Sequence, residues 1–155
     1  MEILDLIPRQ QILIQIPETD KSEILMKMLQ VFKYRWKDMD ESSLIKALLE
    51  REKLGSPYLP CQLAIPHVRI PNIEEELAAF ATLEKIVDFA EKGDSIPKPT
   101  QLVFLVLSPE NRIKEYLTIL SKISTIVSRN NTSKYLIEAK SSQEVVDILA
   151  LANQT

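Results

Sequence analysis

Apolar positions recur along the chain at two spacings, and each spacing predicts an element. Gln11–Ile16 (QILIQI) is rich in β-branched residues and stops at Pro17, which predicts a first strand. Asp20 and Glu23 have the shape of a capping box, and Leu25, Met28, Leu29 and Phe32 then share one helical face, with the helix ending near Trp36. A second capping pattern, Asp38 to Glu41, opens a helix whose buried stripe is Leu44, Ile45, Leu48 and Leu49, with Gly55 placed as its stop.

Leu77–Leu83 (LAAFATL) reads as a strand, and Val87–Phe89 as another short one. Glu91–Ser95 with Pro97 and Pro99 is a loop. Leu102–Leu107 (LVFLVL) is apolar at every position. Such a strand is covered on both faces, so helices are expected on both sides of the sheet. Ser108 and Pro109 then read as an N-cap with proline at the first helical position. Ile113, Tyr116, Leu117, Leu120 and Val127 form the inward stripe of the helix that follows. A short helix is expected around Lys134–Ala139, and Ser141 caps a last one with Val145, Ile148, Leu149 and Ala152 facing inward. Alternating strands and helices give an α/β fold: a single domain over residues 1–155, with a mixed β-sheet flanked by helices on both faces.

Composition narrows the function. A net charge of -3 argues against a nucleic-acid partner, which calls for a basic face. The N-terminal residues carry no basic segment ahead of a long apolar core, so no signal peptide is expected. The strongest apolar run, Leu102–Leu107, is too short to span a bilayer, so no membrane insertion is expected either. One cysteine cannot form an intrachain disulfide. Together these features suit a cytoplasmic protein.

The chemistry concentrates in Gly55–Ile70, which holds the single histidine, His67, and the single cysteine, Cys61. The run Leu63–Ile65 leads into Pro66 and His67, which reads as a strand delivering one imidazole to the rim of the sheet. Histidine titrates near neutrality and can serve as nucleophile, base or ligand. One histidine and one cysteine do not supply the ligands that zinc needs, so no metal is expected. A Cys61–His67 dyad fails on distance if the intervening chain is extended, since six residues at about 3.3 Å each separate the two by roughly 20 Å. Two glycines in the whole chain exclude a glycine-rich phosphate loop, and no cofactor is expected. Two cations remain. Arg69, two residues beyond His67, points to the same side of a strand, and Arg51 lies at the C-terminal end of the second helix. A neutral imidazole can attack phosphorus, and an arginine fork matches phosphate oxygens. On spacing alone, an ordinary surface histidine with solvated arginines is the plainer reading.

Two motifs add a resemblance. Leu49-Glu-Arg51-Glu-Lys-Leu-Gly55-Ser56, followed by Leu63-Ala-Ile-Pro-His67-Val-Arg69, resembles the signature of enzyme IIA domains of the fructose–mannitol type. These belong to the phosphoenolpyruvate-dependent sugar phosphotransferase system, and the type includes a nitrogen-regulatory branch. The likeness continues through Phe80, Val87–Phe89 and Leu102–Glu110. It implies a phosphoryl carrier in which His67 accepts the group from the phosphocarrier HPr or a relative. His67 then passes it to an enzyme IIB domain or holds it as a signal to a regulated target. It also implies that Arg51 steadies the phosphoryl group, with Ser56, Arg69 and Tyr116 in binding roles, and it implies the same mixed sheet. This chain departs from the pattern in places. Pro57, Tyr58, Pro60 and Gln62 stand where the family has threonine and glycines, Val68 where glycine is common, and Tyr116 where many members carry a second histidine. A binding module that has kept the fold and lost transfer is the alternative. With no permease-like or IIB-like segment in the sequence, a stand-alone regulator is expected under either reading.

Overall fold

The computed structural model describes residues 2–55 and 58–154. In chain order these form α1 (Ile3–Leu6), β1 (Ile12–Ile16), α2 (Lys21–Leu29), α3 (Glu41–Glu52), β2 (Tyr58–Leu59), β3 (Leu63–Ala64), β4 (His67–Ile70), β5 (Leu77–Asp88), β6 (Pro99–Pro109), α4 (Ile113–Ser128), α5 (Thr132–Glu138) and α6 (Ser142–Asn153). The strands make one mixed sheet in the order β1-β5-β6-β3-β2, with β4 also paired to β6. β5 and β6 run antiparallel, while β1 lies parallel to β5, and β3 and β4 lie parallel to β6.

β6 is the axis of the core. Alternation sends Val103, Leu105 and Leu107 to one face, against Leu25, Met28, Leu29 and Phe32 of the α2 region and Leu44 and Leu48 of α3. It sends Leu102, Phe104 and Val106 to the other, against Ile119, Ile123 and Ile126 of α4 and Val145 and Leu149 of α6. Both faces of the strand are covered, as its unbroken apolar run requires. Each large side chain buried there contributes about 1.5–3 kcal/mol of transfer free energy.

The helix starts follow capping chemistry. Asp20 accepts a hydrogen bond from the Glu23 amide at 3.1 Å, and Ser141 from the Glu144 amide at 3.1 Å. The cap of α3 is Asp40 rather than Asp38: its carboxylate accepts from the Ser43 amide at 3.2 Å and the Ser43 hydroxyl at 2.8 Å. α2 ends at Leu29 and tightens into a 3-10 turn over Gln30–Phe32, short of Trp36. Gly55 is not a left-handed cap, because α3 closes three residues earlier at Glu52 with a helical Lys53. Val87 belongs to the long β5, whose pairing with β6 is interrupted between Thr82 and Val87.

The largest departure is at the head of α4. Ser108 and Pro109 are not its cap. The parallel ladder continues to the Ile70–Pro109 pair, the Glu110 amide still donates to the Ile70 carbonyl at 3.1 Å, and Arg112 is the N-cap. The inward face is Tyr116, Ile119, Ile123, Ile126 and Val127, whereas Ile113 and Leu117 are 52% and 57% exposed.

Candidate functional site

β3 and β4 lie end to end along one edge of β6, broken at Ile65–Pro66. Pro66 has no amide hydrogen, yet its carbonyl still accepts from the Val106 amide at 2.9 Å, so the chain stays against β6 through the break. His67 then opens β4 opposite Val106, and Arg69 lies opposite Ser108. Val68 and Ile70 pack into the α2–α3 side of the core, which turns His67 and Arg69 toward α4.

The His67 ring is half-buried, with Nδ1 in a short contact to the Ile65 carbonyl oxygen. A carbonyl only accepts, so Nδ1 carries the hydrogen and Nε2 keeps its lone pair. Burial holds the imidazole pKa below its ordinary value. The Ile65 hydrogen bond opposes that shift, and the positive charge of Arg51 adds to it. A neutral ring with a free Nε2 is the nucleophilic form of histidine.

Two elements flank the ring. From α3, Arg51 joins Leu48, Glu52, Gly55, Pro66 and His67 around a crevice too narrow to hold a water molecule. Glu52 does not compete for Arg51, because its carboxylate pairs with Lys21 at 3.0 Å. From the first turn of α4, the Tyr116 ring lies 5.6 Å from the imidazole, centroid to centroid, tilted by 49°. The Tyr116 hydroxyl is buried without a hydrogen-bond partner. Burial raises its pKa, while Arg51 and Arg69 draw it down. Arg51 comes near that hydroxyl without meeting hydrogen-bond geometry. Tyr116 therefore keeps its proton, with its hydroxyl near Arg51.

His67, Arg51 and Tyr116 thus lie together at this end of the sheet. Arg69 shares their face but is engaged elsewhere: its guanidinium lies 5.9 Å from the Tyr116 ring centroid and donates to the Glu110 carbonyl at 2.9 Å. Ser56 lies outside the described residues. Cys61 packs at the edge of the α4–α6 core, and burial raises its thiol pKa, which suits an inert side chain. In the loop before the histidine strand, Gln62 adopts φ 63°, a left-handed backbone that glycine would take without strain. Two polar residues are buried at this end of the sheet: Ser108, whose sequence context suggests a helix cap, and Glu76, which no sequence motif singles out. Among the described residues, no three His, Cys, Asp or Glu side chains converge as a metal-binding group, and no helix is long and apolar enough to cross a membrane.

The model of the family "Phosphoenolpyruvate-dependent sugar phosphotransferase system, EIIA 2" matches residues 5–151. The chain belongs to this family. It is similar to the nitrogen regulatory protein of Bradyrhizobium diazoefficiens, at 31% identity over 155 residues, covering 100% of this chain and 99% of that one. The crystal structure of nitrogen regulatory protein IIA-Ntr from Neisseria meningitidis superposes with a TM-score of 0.82 at 30% identity, covering 95% of this chain and 98% of that one. A complex of enzyme IIA mannitol and phosphorylated enzyme IIB mannitol from Escherichia coli shares the fold, with a TM-score of 0.70 at 19% identity over 92% of this chain and 96% of that one. The family's EIIA domains are components of the phosphotransferase system, and this chain is one of them by sequence and fold.

Proposed function

We propose that this EIIA-family chain is a phosphoryl carrier that accepts the group on Nε2 of His67 from an HPr-like carrier. It then delivers the group to an enzyme IIB domain or presents it to a regulated target. The observation that carries this reading is the contact between His67 Nδ1 and the Ile65 carbonyl, which assigns the hydrogen to Nδ1 and leaves the lone pair on Nε2, in a ring flanked by Arg51 and Tyr116. The carrier's N–P bond breaks as the Nε2–P bond forms, and the carrier ring leaves with the electron pair. No proton has to leave His67, because Nε2 bears none. The ring becomes cationic on phosphorylation, and the Ile65 carbonyl stabilises that charge through Nδ1–H. The Arg51 fork and the Tyr116 hydroxyl are suited to the phosphoryl oxygens, and transfer of this kind draws its rate from positioned charge. The mannitol relative in complex with its phosphorylated IIB supports the second step.

A module that binds partners without being phosphorylated is the second reading, favoured by the narrowness of the crevice around Arg51 and His67. Labelling separates the two. With phosphoenolpyruvate, enzyme I and several HPr proteins, the wild type should gain one acid-labile phosphoryl group, and His67→Ala should gain none while staying folded. Label retained on His67→Ala refutes the assignment. A wild type that no carrier labels establishes the binding module.

A further inference from the structure

Glu76 ends the run Glu74-Glu75-Glu76, and its two neighbours are exposed while it is buried, with its side chain 1% exposed. Among the described residues, its two carboxylate oxygens, the Ser108 hydroxyl and the Tyr116 hydroxyl are the buried side-chain polar atoms that find no hydrogen-bond partner. Buried polar atoms are nearly always paired, so their gathering at one end of the sheet calls for a cause. The register supplies one. Leu77 pairs with Leu107, so Glu76, one step earlier, stands opposite Ser108, and Ser108 stands opposite Arg69 on its other side. Glu76, Ser108 and Arg69 therefore form a polar row across the sheet, on the face that α4 covers. Glu76 and Ser108 are cross-strand neighbours, placed to share a bridging water of the kind that satisfies buried polar groups.

The charge facing Glu76 is Arg112, whose guanidinium lies 3.2 Å from Oε1. Arg112 is the N-cap of α4, and its carbonyl accepts the Tyr116 amide at 3.0 Å. Its own amide donates to Pro109 at 3.2 Å, closing the turn whose Glu110 carbonyl receives Arg69 at 2.9 Å. The 109–112 turn is thus held from below by Glu76 and from the side by Arg69, and it sets where Tyr116 stands over His67. We propose that Glu76 is a positioning residue for the phosphoryl site: through Arg112 it locks the head of α4, and with it Tyr116 and Arg69, beside the histidine. A lone carboxylate under a helix head would be costly to bury without such a task. The inference rests on the phosphoryl-carrier reading for its kinetic consequence, and on geometry alone for its structural one.

The test is Glu76→Gln, with Ser108→Ala and the double variant Glu76→Gln/Arg112→Gln beside it. If Glu76 positions the site, Glu76→Gln should phosphorylate about ten- to a hundredfold more slowly at saturating carrier, the scale of a small misplacement of reacting groups. The half-saturating carrier concentration should not change, because the Glu76 side chain is buried and the substitution leaves the surface residues in place. The double variant should be no worse than Glu76→Gln, since the pair acts as a unit. A second readout needs no phosphorylation. His67 is the only histidine, so its ring gives a single NMR titration, and the charged or titratable groups around it are Arg51 and Glu52 from α3, Arg69 from β4 and Tyr116 from α4. Loosening the head of α4 admits water to the ring, so the midpoint should rise in Glu76→Gln, and by less in Ser108→Ala. A folded Glu76→Gln whose His67 midpoint is unchanged, or is lowered as loss of a negative charge alone would lower it, overturns the proposal, whether or not the protein is ever labelled. A raised midpoint in a protein that no carrier phosphorylates keeps the positioning role and refutes the carrier reading instead.

Discussion

The two flanks of His67 are built differently. On the α3 side, Arg51 stands in the last turn of a helix that ends at Glu52, and Lys53, Leu54 and Gly55 beyond it are exposed. Among the described residues, Leu48, Glu52, Gly55 and Pro66 join Arg51 and His67 around the narrow crevice there. On the α4 side, Tyr116 is buried, Arg112 is paired to a buried carboxylate, and Arg69 is hydrogen-bonded to the turn. One flank presents a charge at a helix end; the other is a fixed wall. A phosphoryl site needs both. Under the proposed carrier role, the group would approach Arg51 at the helix end and meet, on the α4 side, donors that cost no reorganisation.

The comparison is broken most severely at Arg51. Arg51→Ala should slow phosphorylation by about a hundredfold or more, the scale seen on losing one group that stabilises transferring charge. Arg51→Lys should recover only part, because a lysine lacks the planar fork. Rapid-quench labelling measures both, and an Arg51→Ala rate within a fewfold of wild type would move the role to Arg69.

On the fixed wall, Tyr116→Phe removes one oxygen and should act in opposite directions on activity and stability. A hydrogen bond to a charged group is worth about 1.5–3 kcal/mol, so loss of the hydroxyl should shorten phosphorylation efficiency by about tenfold or more. The unphosphorylated protein should be more stable by about 1 kcal/mol, because a buried hydroxyl without a partner is removed. Urea melts and labelling rates on the same samples check the pair; a destabilised Tyr116→Phe shows that the hydroxyl already has a partner before phosphorylation.

The imidazole between the flanks sets the pH response. Its folded pKa lies below the ordinary 6.5, first through burial and then through Arg51. The nucleophilic form therefore persists as pH falls through 6.5, and the acceptance rate should decline only at lower pH. For stability the sign is the same. Below 6.5 the unfolded chain takes up a proton that the folded ring refuses, so stability present above 6.5 is lost as pH falls toward the folded midpoint. The difference between wild type and His67→Gln in denaturation midpoint, followed from pH 7.5 to 5, isolates this from the carboxylates. A difference that grows in favour of wild type on acidification contradicts the lowered pKa.

The smallest effect lies outside both flanks. Gln62→Gly relieves a left-handed residue but adds chain entropy to the unfolded state, so the gain should be about half a kcal/mol, with phosphorylation unchanged. A stability loss would mean that the Gln62 side chain packs against something worth more than the strain.

Much of this was legible in the residues. The all-apolar Leu102–Leu107 announced a strand covered on both faces, and the Ala-Ile-Pro-His and Arg-Glu-Lys-Leu-Gly motifs singled out His67 and one of its flanks, Arg51. What stayed hidden was decided by long-range register. Ile113 and Leu117 look inward by periodicity, but α4 packs on the sheet through Ile119, Ile123 and Ile126, and that choice rotates its first turn so that Tyr116 faces His67. Ser108 reads as a cap because Ser-Pro favours one locally; pairing with Arg69 on β4 holds it in the strand instead. Glu76 was invisible because three glutamates in a row read as a solvated surface, and only its place one step before β5 buries it. The cap of α3 slid from Asp38 to Asp40 for a smaller reason: two aspartates compete, and the second has Ser43 three residues on, offering both an amide and a hydroxyl.

β4 is a sheet edge. It pairs with β6 on one side, and no strand among the described residues joins it on the other. Such an edge invites another chain to add to it, which is how sheets seed aggregates. Here the open length is four residues, His67–Ile70, with Pro66 before it and Pro71 after it. Neither proline has a hydrogen to offer an incoming strand, and Arg69 adds an outward charge. Under the proposed carrier role partners would approach this strand, and it can stay uncovered because the prolines that bound it also hinder a second copy from continuing the sheet.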